Sequence, residues 1–239
     1  MPRLLTRLSR HLRGFSHQQS LVRLRDAFNF VPTVVYDIGA YHGDWTKATR
    51  KVFPAAEYFL FEANPENALI LRASGESHFI AALAEKKGMQ MKFHLPGDES
   101  PATGASLYRE KSIHYLRENS RDLAVTTRRL DILAREHQLP SPDLIKLDVQ
   151  GAELDVLNGA GAALENCSAL IIELSLVQGN EGGPLAAEVI AGIDKLGFKC
   201  ADVCKIRRTV IGSVSQLDLL FVSGTLHDKY TTAAGVLDQ

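Results

Sequence analysis

The stretch Val34-Val35-Tyr36-Asp37-Ile38-Gly39-Ala40-Tyr41-His42-Gly43-Asp44-Trp45 constrains this chain more than any other. A β-branched apolar run ends in an acid, passes through a glycine-spaced turn and enters a helix-like segment. That is the sequence form of a first βα unit whose turn faces a nucleotide-type ligand. The glycines read Gly-x-x-x-Gly rather than Gly-x-Gly-x-x-Gly, and Asp37 and Asp44 flank them. Carboxylates repel a pyrophosphate, which needs bare backbone amides. They suit a cationic ligand instead, and the sulfonium and ammonium of S-adenosylmethionine are such cations.

The chain has 239 residues, 45% of them hydrophobic. That supports one large α/β core with a short appendage. A formal net charge of -1 argues against a global nucleic-acid footprint, and no basic stripe with interleaved aromatics follows the N-terminal segment. Cys167, Cys200 and Cys204 make an odd, sparse set that suits a reducing compartment and no disulfide framework. Cys200 and Cys204 lack the second Cys/His pair a zinc site needs. No apolar run is long enough to span a bilayer. Arginines interrupt every apolar stretch up to Phe15, so the start does not read as a signal peptide, and a cytoplasmic location is expected.

Residues 1–30 carry Arg3, Arg7, Arg10, Arg13, Arg23 and Arg25 against one acid, Asp26. Leu4, Leu5, Leu8, Leu12 and Phe15 fall at helical spacing, which predicts a helix with one apolar and one basic face. One reading packs it on its own domain or on a second copy in a homodimer. The other lays it on anionic lipid at the inner face of a membrane, which would fit a lipid-linked substrate.

From residue 33 strands and helices alternate. Strands are expected over 33–37, 57–62, 78–83, 89–94, 143–148, 169–174, 198–203 and 216–222. Helices are expected over 45–52, 65–73, 130–136, 152–158 and 185–196, the last closed by Gly197. The domain then covers 31–226. Residues 95–127 are polar and read as a lid or insertion, 179–184 as a glycine-rich loop, and 227–239 as a frayed tail.

Asp37, Glu62, Asp148 and Glu173 fall near the carboxyl ends of four different strands, where open α/β sheets bind ligands. Each acid alone has a local explanation, such as a helix cap or a dipole partner. Four in one sheet need cations or donors to balance them. That points to a pocket for a cationic cofactor, with a divalent metal as a further candidate. Glu62 lies about twenty residues past the turn, at reach of a ribose diol.

A set of blocks carries a resemblance: Asp37-Ile38-Gly39-Ala40 with Gly43, Phe61-Glu62-Ala63-Asn64-Pro65, Ala82-Leu83, and Thr127-Arg128-Arg129-Leu130-Asp131. It continues with Ile145-Lys146-Leu147-Asp148-Val149-Gln150-Gly151-Ala152-Glu153 and Gln216-Leu217-Asp218-Leu219-Leu220-Phe221-Val222. In this order, over residues 33–222, they resemble the FkbM family of methyltransferases. The resemblance implies a Rossmann-like class I methyltransferase fold: a seven-stranded, mostly parallel sheet with an antiparallel last strand. It implies S-adenosylmethionine as cofactor and O-methylation of a sugar, a glycan or another small-molecule natural product. By position, Asp37, Gly39 and Gly43 surround the methionine end, in a turn that also carries Ala40 and Tyr41. Glu62 holds the ribose hydroxyls, Ala63 lies on one side of the adenine and Ala82 and Leu83 on the other, and Asp148 sits under the methyl path. The family often has Asn where this chain has Tyr41, and Glu where it has Gln150. Tyr41 would reshape the methionine pocket, and Gln150 removes a charge near the reaction centre.

Methyl transfer from a sulfonium is an in-line displacement that depends on alignment. A hydroxyl acceptor must also lose its proton, to a base or with help from a metal. Asp148, Glu153 and Glu173 are the candidate catalytic carboxylates, with His42 and His114 as alternatives. Two competing readings are a non-catalytic cofactor-binding scaffold on the same fold and a nicotinamide-dependent oxidoreductase. The acidic turn argues against the latter.

Overall fold

The computed structural model describes residues 15–96, 104–109, 111 and 120–233. Its helices are α1 (His17–Phe28), α2 (Asp44–Thr49), α3 (Ala68–Ser74), α4 (Leu130–Glu136), α5 (Glu153–Asn158), α6 (Ala186–Lys195) and α7 (Gly224–Ala233). Its strands are β1 (Val34–Ile38), β2 (Glu57–Glu62), β3 (Ser77–Ile80), β4 (Ala82–Leu83), β5 (Gln90–Leu95), β6 (Arg121–Arg128), β7 (Leu144–Leu147), β8 (Ala169–Ser175), β9 (Phe198–Arg208) and β10 (Val214–Ser223).

Seven strands form the main sheet in the order β3-β2-β1-β7-β8-β10-β9. The neighbours from β3 to β8 run parallel, and β10 inserts antiparallel between β8 and β9. This is the Rossmann-like class I methyltransferase architecture expected from the resemblance. The central strands β1 and β7 are buried at every position, as a parallel sheet covered on both faces requires.

The period of two sorts side chains between two cores. Val34, Tyr36, Ile38, Ile145, Leu147, Leu170 and Ile172 pack on one face, with α4, α5 and α6. Val35, Leu60, Leu144, Ile171 and Leu220 pack on the other, with Leu21 and Leu24 of α1. On that second face, alternation also places Asp37, Glu62, Lys146, Glu173 and Asp218. Its charged groups therefore share one side of one sheet.

Several sequence expectations change. The strand expected over 78–83 breaks at Ala81: β3 stays in the main sheet, while β4 pairs with β6 in a second sheet ordered β4-β6-β5. The last part of the region expected as a lid, 95–127, is β6, which pairs antiparallel with β5 along its length. Much of the remainder of that lid lies outside the described residues. Residues 205–215, between the strands expected over 198–203 and 216–222, mostly extend β9 and β10 into one long hairpin. The tail expected from His227 is helical through Ala233, and Tyr230 stacks on Phe28 with ring centroids 4.1 Å apart.

Helix α1 begins where Ser16 Oγ accepts the amide of Gln19 at 3.2 Å. Leu21 and Leu24 are fully buried. Ser20 Oγ donates to Asp202 on β9 at 2.8 Å, and Arg23 pairs with the same carboxylate. The helix thus packs on its own domain. The apolar positions Leu4, Leu5, Leu8 and Leu12 lie outside the described residues. Among the described residues, no helix is long and apolar enough to cross a membrane.

Candidate active site

The turn after β1 is drawn tight against two neighbouring strands. Gly39 and Ala40 donate their amides to the carbonyl of Phe61 at 2.9 and 3.1 Å. Gly39 has φ +73°, and a Cβ there would stand 1.9 Å from the carbonyl oxygen of Asp148. Only glycine fits where the β1 and β7 loops meet so closely. Tyr41, at φ +51°, turns its amide into Glu62 Oε2 at 2.7 Å. Asn64 donates its amide to Glu62 Oε1, also at 2.7 Å. Burial pushes the Glu62 carboxyl above its usual range, and these two amides and Lys146 oppose the rise.

Asp37 is fully buried and does not face the cavity. Thr46 Oγ1 donates to its Oδ2 at 2.7 Å, and Lys146 Nζ stands 3.2 Å from its Oδ1. The same ammonium donates to the carbonyl of Gly39 at 2.7 Å and lies 3.8 Å from Asp148 Oδ2. Burial lowers the Lys146 pKa, but Asp37 and Asp148 outweigh it and raise it overall, so the ammonium stays charged. The charge of Asp37, read from the sequence as facing a ligand, is met inside the protein.

Beyond β7, Gln150 sits at φ +55° and directs its amide nitrogen to two acids: Asp148 Oδ1 at 2.8 Å and Glu173 Oε1 at 2.6 Å. Gln216 Nε2 reaches Glu173 Oε1 from β10 at 2.9 Å. Burial, with Asp148 and Asp218 nearby, pushes Glu173 up to about 8. Glu153 opens α5 and accepts the amides of Gly151 at 3.1 Å and Val149 at 3.3 Å. Its burial outweighs those amides and raises its pKa to about 7. It braces the loop that carries Asp148.

A cavity of about 480 Å³ opens over the carboxyl ends of β1, β2 and β7. Of the residues expected at a cofactor, Gly39, Ala40, Tyr41, Glu62, Ala63, Ala82, Leu83 and Asp148 line it, while Asp37 and Gly43 do not. Of the expected catalytic acids, Asp148 lines it and Glu153 and Glu173 stand behind it. His42 stacks on Tyr41 with ring centroids 3.6 Å apart and does not line the cavity; His114 lies outside the described residues.

Sequence reasoning missed Lys146, His17, Lys205 and Asp218, all of which line the cavity. Lys146 had a visible signal, a lone cation inside the buried run Leu144-Ile145-Lys146-Leu147. His17 had none, because α1 reaches the cavity only through tertiary packing. Among the described residues, no group of three or more His, Cys, Asp or Glu side chains is placed to hold a metal ion. Cys200 is exposed and Cys204 buried on β9.

The model of the FkbM methyltransferase domain matches residues 37–200 of this chain. The 2-O-methyltransferase NoeI of Sinorhizobium fredii is 30% identical over 155 residues, 59% of this chain and 63% of that relative. The match therefore spans less than two thirds of the relative's length. Two solved structures are similar at larger distance. A precorrin-6y C5,15-methyltransferase from Geobacter metallireducens superposes with a TM-score of 0.45 at 12% identity, covering 86% of this chain and 85% of that one. A ribosomal protein L11 methylase from Lactobacillus delbrueckii subsp. bulgaricus gives 0.43 at 13% identity, covering 84% and 77%.

Proposed function

The chain belongs to the FkbM family of S-adenosylmethionine-dependent methyltransferases, and from that premise we propose that it O-methylates a hydroxyl of a sugar, a glycan or another small molecule in the cavity over β1, β2 and β7. Glu62 carries the reading. Its carboxylate is buried at the end of β2, is oriented by the amides of Tyr41 and Asn64, and keeps acceptor capacity on both oxygens for a ribose diol. Ala63, Ala82 and Leu83 offer an apolar wall for a purine. Asp44, Glu62 and Asp148 leave acidic groups facing the cavity after Lys146 has met Asp37, which suits a sulfonium and an ammonium better than a pyrophosphate.

Bound there, the cofactor supplies a methyl group activated for in-line displacement. The protein's own part is positional. Gly39, Ala40 and Tyr41 shape the methionine end. Asp148, held by Gln150, lines the reacting region, and Glu153 keeps its loop rigid. Glu173 supports Asp148 through the shared Gln150 amide. NoeI is named as a 2-O-methyltransferase, which supports a hydroxyl acceptor. The arginines of residues 1–14 support contact with anionic lipid as part of the proposal, and a liposome-flotation comparison with a variant lacking residues 1–14 tests it.

Calorimetric titration with S-adenosylmethionine, S-adenosylhomocysteine and NAD tests the pocket. Binding of both adenosyl ligands with NAD silent is expected. A clear NAD signal, or silence of both adenosyl ligands in folded protein, overturns the reading. A panel of methyl glycosides, scored by release of S-adenosylhomocysteine, then tests the acceptor class.

A further inference from the structure

We propose that His17, oriented by Asp218, takes the proton from the acceptor hydroxyl; this rests on the methyl-transfer reading above. The two residues lie 201 positions apart, and His17 Nε2 stands 2.6 Å from Asp218 Oδ2. Both line the cavity that Glu62 and Asp148 line. Neither falls within residues 37–200, so the pair is outside the part of the chain that the family model covers.

Most of the other cavity-lining groups that could take a proton are already engaged; Asp44, which is not, is an exposed acid at the start of α2 beside the glycine turn, where the methionine end is assigned above. Asp148 Oδ1 accepts from Gln150, and its Oδ2 faces Lys146. Each oxygen of Glu62 accepts a backbone amide, and its remaining acceptor capacity is assigned above to the ribose diol. Lys146 is an ammonium donating to Gly39. Asp218 Oδ2 meets His17 and lies 3.8 Å from Lys205 Nζ. A hydrogen on His17 Nε2 is required for the bond to Asp218. That leaves Nδ1 with its lone pair and, among the described residues, no partner. A carboxylate that fixes the tautomer of an imidazole also stabilises the imidazolium formed when the other nitrogen takes a proton.

A purely structural role for His17 is not needed to hold α1. Leu21 and Leu24 are fully buried, and Ser20 and Arg23 meet Asp202 without it. In the step, the acceptor oxygen gives its proton to Nδ1 and uses the freed pair to bond the methyl carbon. The carbon–sulfur bond breaks, its electrons stay on sulfur as a neutral thioether, and the positive charge reappears on the imidazolium. Several charged groups surround the pair. Lys205 on β9 approaches Asp218, Glu173 on β8 lies directly opposite Asp218 in register, and Arg207 on β9 stands 3.7 Å from Glu173. On α1 itself, Arg23 is turned to Asp202.

Two measurements on the full chain test the proposal. Ring-nitrogen NMR, assigned with His17→Gln, is expected to show the neutral His17 ring protonated at Nε2 and bare at Nδ1; the opposite tautomer overturns the pair whatever the acceptor. With the methyl glycoside that releases most S-adenosylhomocysteine, His17→Gln is expected to lower kcat by about 100-fold or more and to remove the acid limb of the kcat/KM–pH profile. Calorimetric affinity for S-adenosylhomocysteine should stay within about two-fold, since the base acts on the acceptor alone. Asp218→Asn should lower kcat while leaving KM nearly unchanged. A His17→Gln variant with the wild-type rate and acid limb overturns the proposal. If no glycoside turns over while S-adenosylhomocysteine binds, the acceptor class is wrong, and the tautomer decides the fate of the pair.

Discussion

Lys146 and Asp37 are register partners on β7 and β1, and their charged atoms meet 3.2 Å apart with the side chains 6% and 0% exposed. The pair holds the floor of the cavity. The same ammonium ties down the carbonyl of Gly39 in the turn above it. A buried ion pair adds little net stability compared with apolar packing, but breaking one is costly.

Lys146→Met should therefore lose about 3–5 kcal/mol in urea unfolding, because the Asp37 carboxylate is left buried with only Thr46 as donor. The double variant Lys146→Met/Asp37→Asn should recover most of that loss. No recovery would mean that Lys146 acts through Gly39 rather than Asp37.

Glu153 makes stability depend on pH. Its pKa rises from 4.5 to about 7 in the folded chain, so the folded state holds the proton more tightly than the unfolded state does. Its contribution is full below 4.5 and is lost as pH rises through 7. Glu173, raised to about 8, acts in the same direction. The expected result is a fall in unfolding free energy between pH 5 and 8 of a few kcal/mol. Glu153→Gln should reduce the fall and leave the part due to Glu173, and an unchanged slope would remove Glu153 as a cause.

Glu62→Ala should weaken S-adenosylhomocysteine binding by roughly 10- to 100-fold in calorimetry, the range expected for charged hydrogen bonds. Glu62→Gln should fall between it and wild type, since the amide keeps one acceptor oxygen. Wild-type affinity in Glu62→Ala would take the ribose role away from this residue.

Gly39→Ala should cost more than about 3 kcal/mol, because the added Cβ meets backbone rather than a flexible side chain and the residue sits at φ +73°. Urea unfolding of the purified variant checks this. A loss below about 1 kcal/mol would show that the β1 and β7 loops can separate.

Removing residues 1–30 should lower stability by about 3 kcal/mol or more, because Leu21 and Leu24 are fully buried on the sheet. An unchanged melting temperature would make α1 an appendage rather than part of the core.

Much of the site was legible in the chain. The boundaries of β2 and α4 follow from local pattern alone, and the turn residues Gly39, Ala40 and Tyr41 line the cavity where the glycine spacing pointed. Glu62 and Asp148 do so as well. Asp37 was legible as an acid at a strand end, but not as an acid turned inward. That outcome depends on which residue of β7 lies opposite it, and sequence spacing carries no information on register between residues 109 positions apart.

The sequence by itself determined most strands of the main sheet, the order of αβ units and the glycine turn after β1. Strand period, β-branched runs and glycines at positive φ are properties of neighbouring residues, and neighbours in sequence are all that such patterns require. Only the tertiary structure decided which charges meet. Sheet register set Asp37 against Lys146. The packing of Leu21 and Leu24 on the second face brought His17 to Asp218 at the cavity. Burial then shifted Glu153 and Glu173 away from ordinary carboxylate behaviour, because the cost of a charge depends on what surrounds it in space.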